Sequence, residues 1–305
     1  MKRIYTIGET VYDIIFKDDQ PVSAKAGGAM LNTSVSLGRL GLPVSFISEI
    51  GEDLLGMKII DFLNENKVDT RFIDRFSDGK TALALAFLDQ NKNASYSFYK
   101  LYPHERLTID LPEPDAGDII LFGSFFSITP QVRPGLINFI KKAAAKNSLI
   151  IYDPNFRRPH LKDLPVVKDL ILENIGLSSI VRGSDEDFEL IFGCSHVDEA
   201  FQVVRNFGCN FLVYTQAHKT VEFRSDKFRF SLKVPEIKPV STIGAGDSFN
   251  AGLIYYLFKQ GITTTRLPDL DESNCKEAIG IAVSFGSHVC QRFDNYISKD
   301  FASRY

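Results

Sequence analysis

The chain has little that would send it to a membrane or hold it to a nucleic acid. No stretch of its 305 residues approaches the ~20 consecutive apolar residues that a membrane span needs. The N-terminus, MKRIYTIGETVYDIIF, alternates apolar with polar residues, so it lacks the unbroken apolar run and small-residue cleavage site of a secretion signal. A cytoplasmic location is the expectation. The 35 basic and 38 acidic residues leave a net charge of -3 with no polybasic tract, which argues against nucleic-acid and anionic-membrane partners and for a small molecule. Cys194, Cys209, Cys275 and Cys290 form no Cys-x-x-Cys pair and read as core thiols. The five histidines show no metal-ligand spacing, so a structural zinc site has little support. Internal repeats, low-complexity segments and a G-x-x-x-x-G-K-[ST] phosphate loop are also absent from the sequence.

What the chain does have is alternation. Short apolar runs at Ile4 to Gly8, Val44 to Ile50, Asp118 to Phe122, Leu149 to Tyr152, Ile180 to Val181 and Phe211 to Thr215 read as buried strands. Between or after them come amphipathic stretches at Ala29 to Leu40, from Leu54, at Gln131 to Lys146, Asp185 to Phe192 and Asp198 to Phe207, and after Gly246 and Ser273. This predicts an α/β fold, a single domain over 1-305 with a central, mostly parallel sheet flanked by helices and ligands at the carboxyl ends of the strands. Two segments break the rhythm, Val11 to Phe16 and Thr81 to Lys100, the second a hairpin turning at Gln90-Asn91-Lys92-Asn93. Antiparallel in character, they fit either a small separate sheet or an extra edge on the main one. A face bearing Tyr96 and Phe98 could then cover a cleft or meet a second subunit. Val221 to Val234 reads as a plain surface ribbon.

The strongest local signal is STIGAGDSFNAG, Ser241 to Gly252. Gly244, Ala245 and Gly246 put small residues at a loop-to-helix junction, where unpaired N–H groups and the helix dipole favour an anion. Asp247 falls in the first helical turn, within reach of a nucleophile approaching a phosphate held there. A carboxylate so placed can orient an attacking hydroxyl and take its proton. By itself the segment also fits a tight turn with an acid favouring the helix dipole. The second signal, AGGAMLNTSVSLGRLG from Ala26, sets Gly27 and Gly28 before a helix whose first turns carry Asn32. Close backbone approach and an amide with donor and acceptor groups suit a sugar hydroxyl. A glycine-assisted helix start with a solvated Asn32 is the alternative. Glu9 and Asp13 could accept from neutral hydroxyls.

Together the two segments resemble the paired signatures of the ribokinase-like (PfkB) carbohydrate kinases. GEDLLG at Gly51 to Gly56 is similar to the family's G-x-D-x-x-G, and DPNFR at Asp153 to Arg157 to the D-P-N-x-R of fructokinase-like and ketodeoxygluconate-kinase-like members. The resemblance spans nearly the whole chain. It implies a kinase using ATP and Mg2+, with Asp247 as base and Gly244, Ala245 and Gly246 as the anion hole. It further implies Asp13, Gly28 and Asn32 on the sugar and Arg157 near the phosphate path. The β-lid, about 11-25 and 80-105, would cover the sugar, and a homodimer through that lid is what the family suggests. Fructose leads as substrate because of DPNFR; ribose, a nucleoside or a ketodeoxy acid suits a related pocket. The rival is a sugar- or nucleotide-binding regulatory protein on a kinase scaffold, with catalysis weakened.

Three departures from the family pattern stand out. Ser241 replaces the Asp that often helps to hold a monovalent cation, which puts K+ activation in question. Thr215-Gln216-Ala217-His218-Lys219-Thr220 occupies the nucleotide position, where the family usually has T-x-G-x-x-G; Thr215, Gln216, Thr220 and Gly246 are the nucleotide-binding candidates. In Ser184-Asp185-Glu186-Asp187 the last residue stands where the family has a Glu that organises hydrated magnesium, so Asp187 would act on the metal through water with a shorter reach.

Overall fold

The computed structural model describes residues 2–88 and 94–305, without the side chains of Leu88, Ala94 and Tyr96. The expected turn at 90–93 and the part foreseen for the Tyr96 side chain therefore lie outside the described residues. The strands are β1 (Ile4–Ile7), β2 (Val11–Lys17), β3 (Gln20–Gly27), β4 (Val44–Gly51), β5 (Ile73–Phe76), β6 (Lys80–Leu88), β7 (Ala94–Leu101), β8 (Ile119–Gly123), β9 (Leu149–Asp153), β10 (Ile180–Ser184), β11 (Phe211–Thr215), β12 (Thr220–Ser225) and β13 (Arg229–Lys233). The helices are α1 (Ala29–Arg39), α2 (Leu54–Glu65), α3 (Arg133–Ala145), α4 (Leu164–Gly176), α5 (Asp185–Phe192), α6 (Val197–Asn206), α7 (Ala245–Lys259), α8 (Glu272–Cys290) and α9 (Lys299–Ala302).

Nine strands form one sheet in the order β13-β12-β11-β10-β9-β8-β1-β4-β5, parallel from β11 to β5. β1, β8 and β9 are buried at every position, as strands covered by helices on both faces must be. The two faces carry separate apolar layers: Leu31, Phe46, Ile254 and Phe285 belong to one, Phe122, Phe139, Ile171 and Phe188 to the other. No helix among the described residues is long and apolar enough to cross a membrane.

The four remaining strands make the smaller sheet, β3-β2-β6-β7. Its outer pairs are antiparallel as expected, but β2 and β6 run parallel, with Tyr12 opposite Leu83, which corrects the wholly antiparallel expectation. The two hairpins come from distant parts of the chain, and their joining edges happen to run the same way. Asp53 fastens this sheet to the main body. It caps α2 by accepting from Gly56 N, and it also accepts from Thr81 N and Oγ1 at 2.8 Å each.

Two further expectations change. The ribbon at 221–234 is an antiparallel extension of the main sheet, not a free surface hairpin: β12 pairs with β11, and Val221, Phe223 and Phe230 are buried. The Phe223 and Phe230 rings stack 5.1 Å apart, so this edge carries its own piece of core. Helix α4 has no counterpart among the expected elements; Pro165 sits in its first turn, where a missing N–H costs nothing.

Candidate active site

The first turn of α7 and the first turns of α1 meet at the carboxyl end of the sheet. Gly244 caps α7 in the left-handed region at φ 81°, and a Cβ there would stand 2.1 Å from the carbonyl oxygen of Asn295. Only glycine makes that turn against the 292–296 segment. Ala245 and Gly246 follow in the helix, and Asp247 is its third residue. Asn32 Nδ2 donates to Asp247 Oδ2 at 2.8 Å, and Thr33 Oγ1 donates to the Asp247 carbonyl at 2.9 Å. The Oδ1 atom of Asn32 is buried and finds no hydrogen-bond partner among the described residues.

Asp13 approaches from the lid. It lies on β2 opposite Lys25, and a Cβ on Gly27 would fall 2.0 Å from its Oδ2. Burial pushes the Asp13 carboxyl up to about 6; Lys25 opposes that rise and Asp247 adds to it. Burial likewise lifts Asp247 to about 6, with the Asn32 hydrogen bond pulling it down, Asp153 pushing it up, and Arg157 and Arg182 pulling it down. The Asp247 charge thus bears on Asp13. Gly28, at φ 123°, lets the Glu9 carbonyl pass where a side chain would sit, 2.3 Å from the position of a Cβ. Arg157 is exposed just beyond β9, close enough to act on Asp247.

Further out, between β1 and the lid, Lys100 Nζ reaches both oxygens of Glu9 at 2.7 and 2.8 Å, and the Tyr102 hydroxyl donates to the same carboxylate at 2.6 Å. Arg106 lies over the Tyr102 ring and is paired with buried Glu49. These charges are compensated, Lys100 by Glu9 and Arg106 by Glu49.

The remaining candidates lie at or just after the ends of β10 and β11 and around the turn to β12. Thr215 ends β11 and accepts from Arg182 Nη2 at 3.1 Å. Gln216 and Thr220 close the β11–β12 turn on themselves: Gln216 N donates to Thr220 O at 2.9 Å, and Thr220 Oγ1 donates to Gln216 Oε1 at 2.6 Å. Ala217, where the family carries glycine, takes φ 45°. Asp187, the candidate for acting on the metal through water, is held by the fold itself. It is 5 % exposed; Oδ1 accepts from Phe156 N, and Oδ2 from Ser184 N and Oγ in a capping box at the start of α5. Among the described residues no group of three or more His, Cys, Asp or Glu is placed to hold a metal ion.

Sequence reasoning passed over a buried polar network beneath α7. Asp153 Oδ2 accepts from Asn250 Nδ2 at 2.6 Å and from Arg182 Nη1 at 2.9 Å. The signal was available: Arg182 is a lone charge in the otherwise uncharged strand IVRGS, and such a residue must meet a partner.

A model of the pfkB family carbohydrate kinases matches residues 1–300. The chain belongs to this family. Fructokinase of Rhizobium leguminosarum bv. trifolii is 28% identical over 279 residues, covering 88% of this chain and 84% of the relative. Aminoimidazole riboside kinase from Salmonella enterica, solved with aminoimidazole riboside and an ATP analog, superposes with a TM-score of 0.86 at 21% identity over 99% of each chain. Fructokinase from Vibrio cholerae, solved with fructose, ADP and calcium ion, superposes with a TM-score of 0.86 at 20% identity over 100% of this chain and 99% of that one. The nine-stranded sheet with its separate four-stranded lid is therefore the ribokinase-like fold of these sugar kinases.

Proposed function

We propose that this pfkB kinase transfers the γ-phosphoryl group of ATP to a hydroxymethyl group of a small sugar, fructose foremost, with Asp247 as the base. The observation that carries the reading is the convergence of Asp247, Asn32 and Asp13 at the N-terminus of α7. A hydroxyl held between Asp13 and Asn32 Oδ1 lies beside the Asp247 carboxylate. As its oxygen bonds to the γ-phosphorus, its proton passes to Asp247. The bond to the β,γ-bridging oxygen breaks, and that electron pair leaves with ADP. The helix start, with Gly244 and Gly246 free of side chains, faces the charge that develops on the phosphoryl oxygens. Arg157 supplies an exposed cation on the same path.

Mg2+ accompanies nucleoside triphosphates by way of their phosphates and waters. The described residues make no cage for it, so every step above is assigned to the protein's own groups. The Lys100 charge is already compensated by Glu9, which favours a free sugar over a sugar phosphate. On the lid's outer surface Val22, Phe87, Tyr99 and Leu101 are exposed, and we place a second copy of the chain there.

A screen of sugars and ribosides with ATP and GTP tests the reading. Sugar-dependent ADP release is expected, greatest with a ketohexose and ATP. Sugar binding without turnover would instead make the chain a binding protein on a kinase scaffold.

A further inference from the structure

Arg182 is a charged residue in a strand that is otherwise apolar or small, and its side chain is 10% exposed. Two of its nitrogens are satisfied, Nη1 by Asp153 Oδ2 at 2.9 Å and Nη2 by Thr215 Oγ1 at 3.1 Å, while buried Nε finds no partner among the described residues. A buried ion pair is a poor way to gain stability, since apolar groups of similar volume commonly do as well or better. Its surroundings suggest another use. A Cβ on Gly246 would stand 3.1 Å from both Nη1 and Nη2, so the first turn of α7 rests directly on the guanidinium. The Arg182 Cζ lies 5.5 Å from the centre of the Phe249 ring, one turn along the same helix. The backbone that faces the transferred phosphoryl group thus has a fixed, always-charged cation immediately behind it.

We propose that Arg182 is a positioning residue for phosphoryl transfer: a permanent internal cation that strengthens the anion hole through Gly246 without touching either substrate. This rests on the kinase reading of the same site. The charge adds to the positive end of the α7 dipole, and in a water-poor site such a preorganised field acts on the transition state without reorganising. Its second effect falls on Asp247. The charged groups facing that carboxylate are Asp13 from β2, Asp153 from β9, Arg157 and Arg182, with the Asn32 amide from α1 as a neutral donor. Removing Arg182 leaves the carboxylates less opposed.

The test compares Arg182→Gln and Arg182→Lys with wild type in sugar-dependent ADP release, across pH. Expected for Arg182→Gln is a fall in kcat of at least about tenfold, smaller than the loss of a donor in direct contact because the charge acts through the backbone. Sugar KM should stay within about threefold, and the acid limb of the profile should move to higher pH. Arg182→Lys, which keeps the charge, should recover most of kcat and the wild-type limb. Wild-type kcat in Arg182→Gln overturns the proposal, as does an equal loss in both variants with an unmoved acid limb, the signature of packing alone. Should Arg182→Gln not fold, Arg182→Gln/Asp153→Asn removes both charges and keeps the network neutral. Its kcat should still be down at least about tenfold, and wild-type kcat there overturns the proposal equally. Absence of turnover by the wild type with any sugar defeats the kinase reading and this inference with it; an unaffected variant beside an active wild type defeats this inference alone.

Discussion

Asn32 on α1 donates its amide to the Asp247 carboxylate on α7 at 2.8 Å, across 215 positions of sequence. The contact joins the two segments that looked most like a site in isolation, and it fixes the orientation of both side chains. With Nδ2 on the carboxylate, Asn32 Oδ1 is left to accept from something else, and a sugar hydroxyl is the natural donor. Asp247→Asn should lower kcat by at least about 10²-fold, the scale of a positioned base, with sugar KM changed only a few-fold. Asn32→Ala should lower kcat by less and raise sugar KM, because it removes the proposed sugar contact as well as the anchor. Steady-state ADP release separates the two patterns, and near-normal kcat in Asp247→Asn sinks the assignment.

The pH dependence of activity and that of stability should have opposite signs. Asp247 acts as a base only when ionised, and burial first of all lifts it to about 6. Turnover should therefore fall on the acid side with an apparent pKa near 6, shared with Asp13 because the two carboxyls interact. For stability, a carboxyl raised above its unfolded value of about 3.9 contributes fully only below that value, and the contribution is lost as pH rises through the folded value. At neutral pH the ionised Asp247 thus costs folding free energy. Because part of Asp247 still reaches solvent, the gain from Asp247→Asn should be about 1 kcal/mol at pH 7.5, less than the full shift implies, and absent near pH 4. Thermal melts at the two pH values check this; a variant less stable than wild type at pH 7.5 contradicts it.

Ala217 holds φ 45° in the turn between β11 and β12, a conformation that disfavours a Cβ by roughly 1–2 kcal/mol. Glycine there relieves the strain but makes the unfolded chain more flexible by about 0.5–1 kcal/mol. Ala217→Gly should therefore be neutral to stabilising by up to about 1 kcal/mol, and denaturant melts read the difference. If this turn borders the nucleotide, the same variant should also lower the KM for ATP. A destabilisation above about 1 kcal/mol would show that the Ala217 methyl group makes a contact that outweighs its backbone strain.

The parallel core was legible because strands buried on both faces are nearly continuous apolar runs, and the α7 entrance because small residues and an acid lead directly into an apolar helical run. Lid topology was not, since the parallel pairing of β2 with β6 joins hairpins some seventy positions apart and neither strand records its partner. The structural part of Asp187 was legible too. A Ser three residues before an acid at a helix start also spells a capping box, and the structure shows that box filled. Arg182 was visible as a lone charge in a buried strand, but its meaning depends on Gly246, which lies far along the sequence and rests on the guanidinium only in the folded chain.

Ser241 bears on cation dependence. Its hydroxyl accepts from Ile243 N at 3.2 Å, closing the turn before Gly244, and its own N–H points to the Cys290 carbonyl at 3.3 Å. Ser287 Oγ and both side-chain amide atoms of Asn295, all neutral, are buried without partners among the described residues, and the Asn295 backbone lies against Gly244. Without a carboxylate, such groups repay little of the water that a monovalent cation must shed. Turnover in sodium and in potassium buffers of equal ionic strength should therefore agree within about twofold, far inside the tenfold that 1.4 kcal/mol of cation binding would give. Ser241→Asp should reverse this. A buried carboxylate beside the anion hole weakens the field that the helix start provides, so activity in sodium should fall, and potassium should restore it by neutralising the new charge. Strong potassium activation of the wild type would show that carbonyl and amide oxygens alone suffice to bind the cation here, and that the neutral Ser241 had been given too much weight.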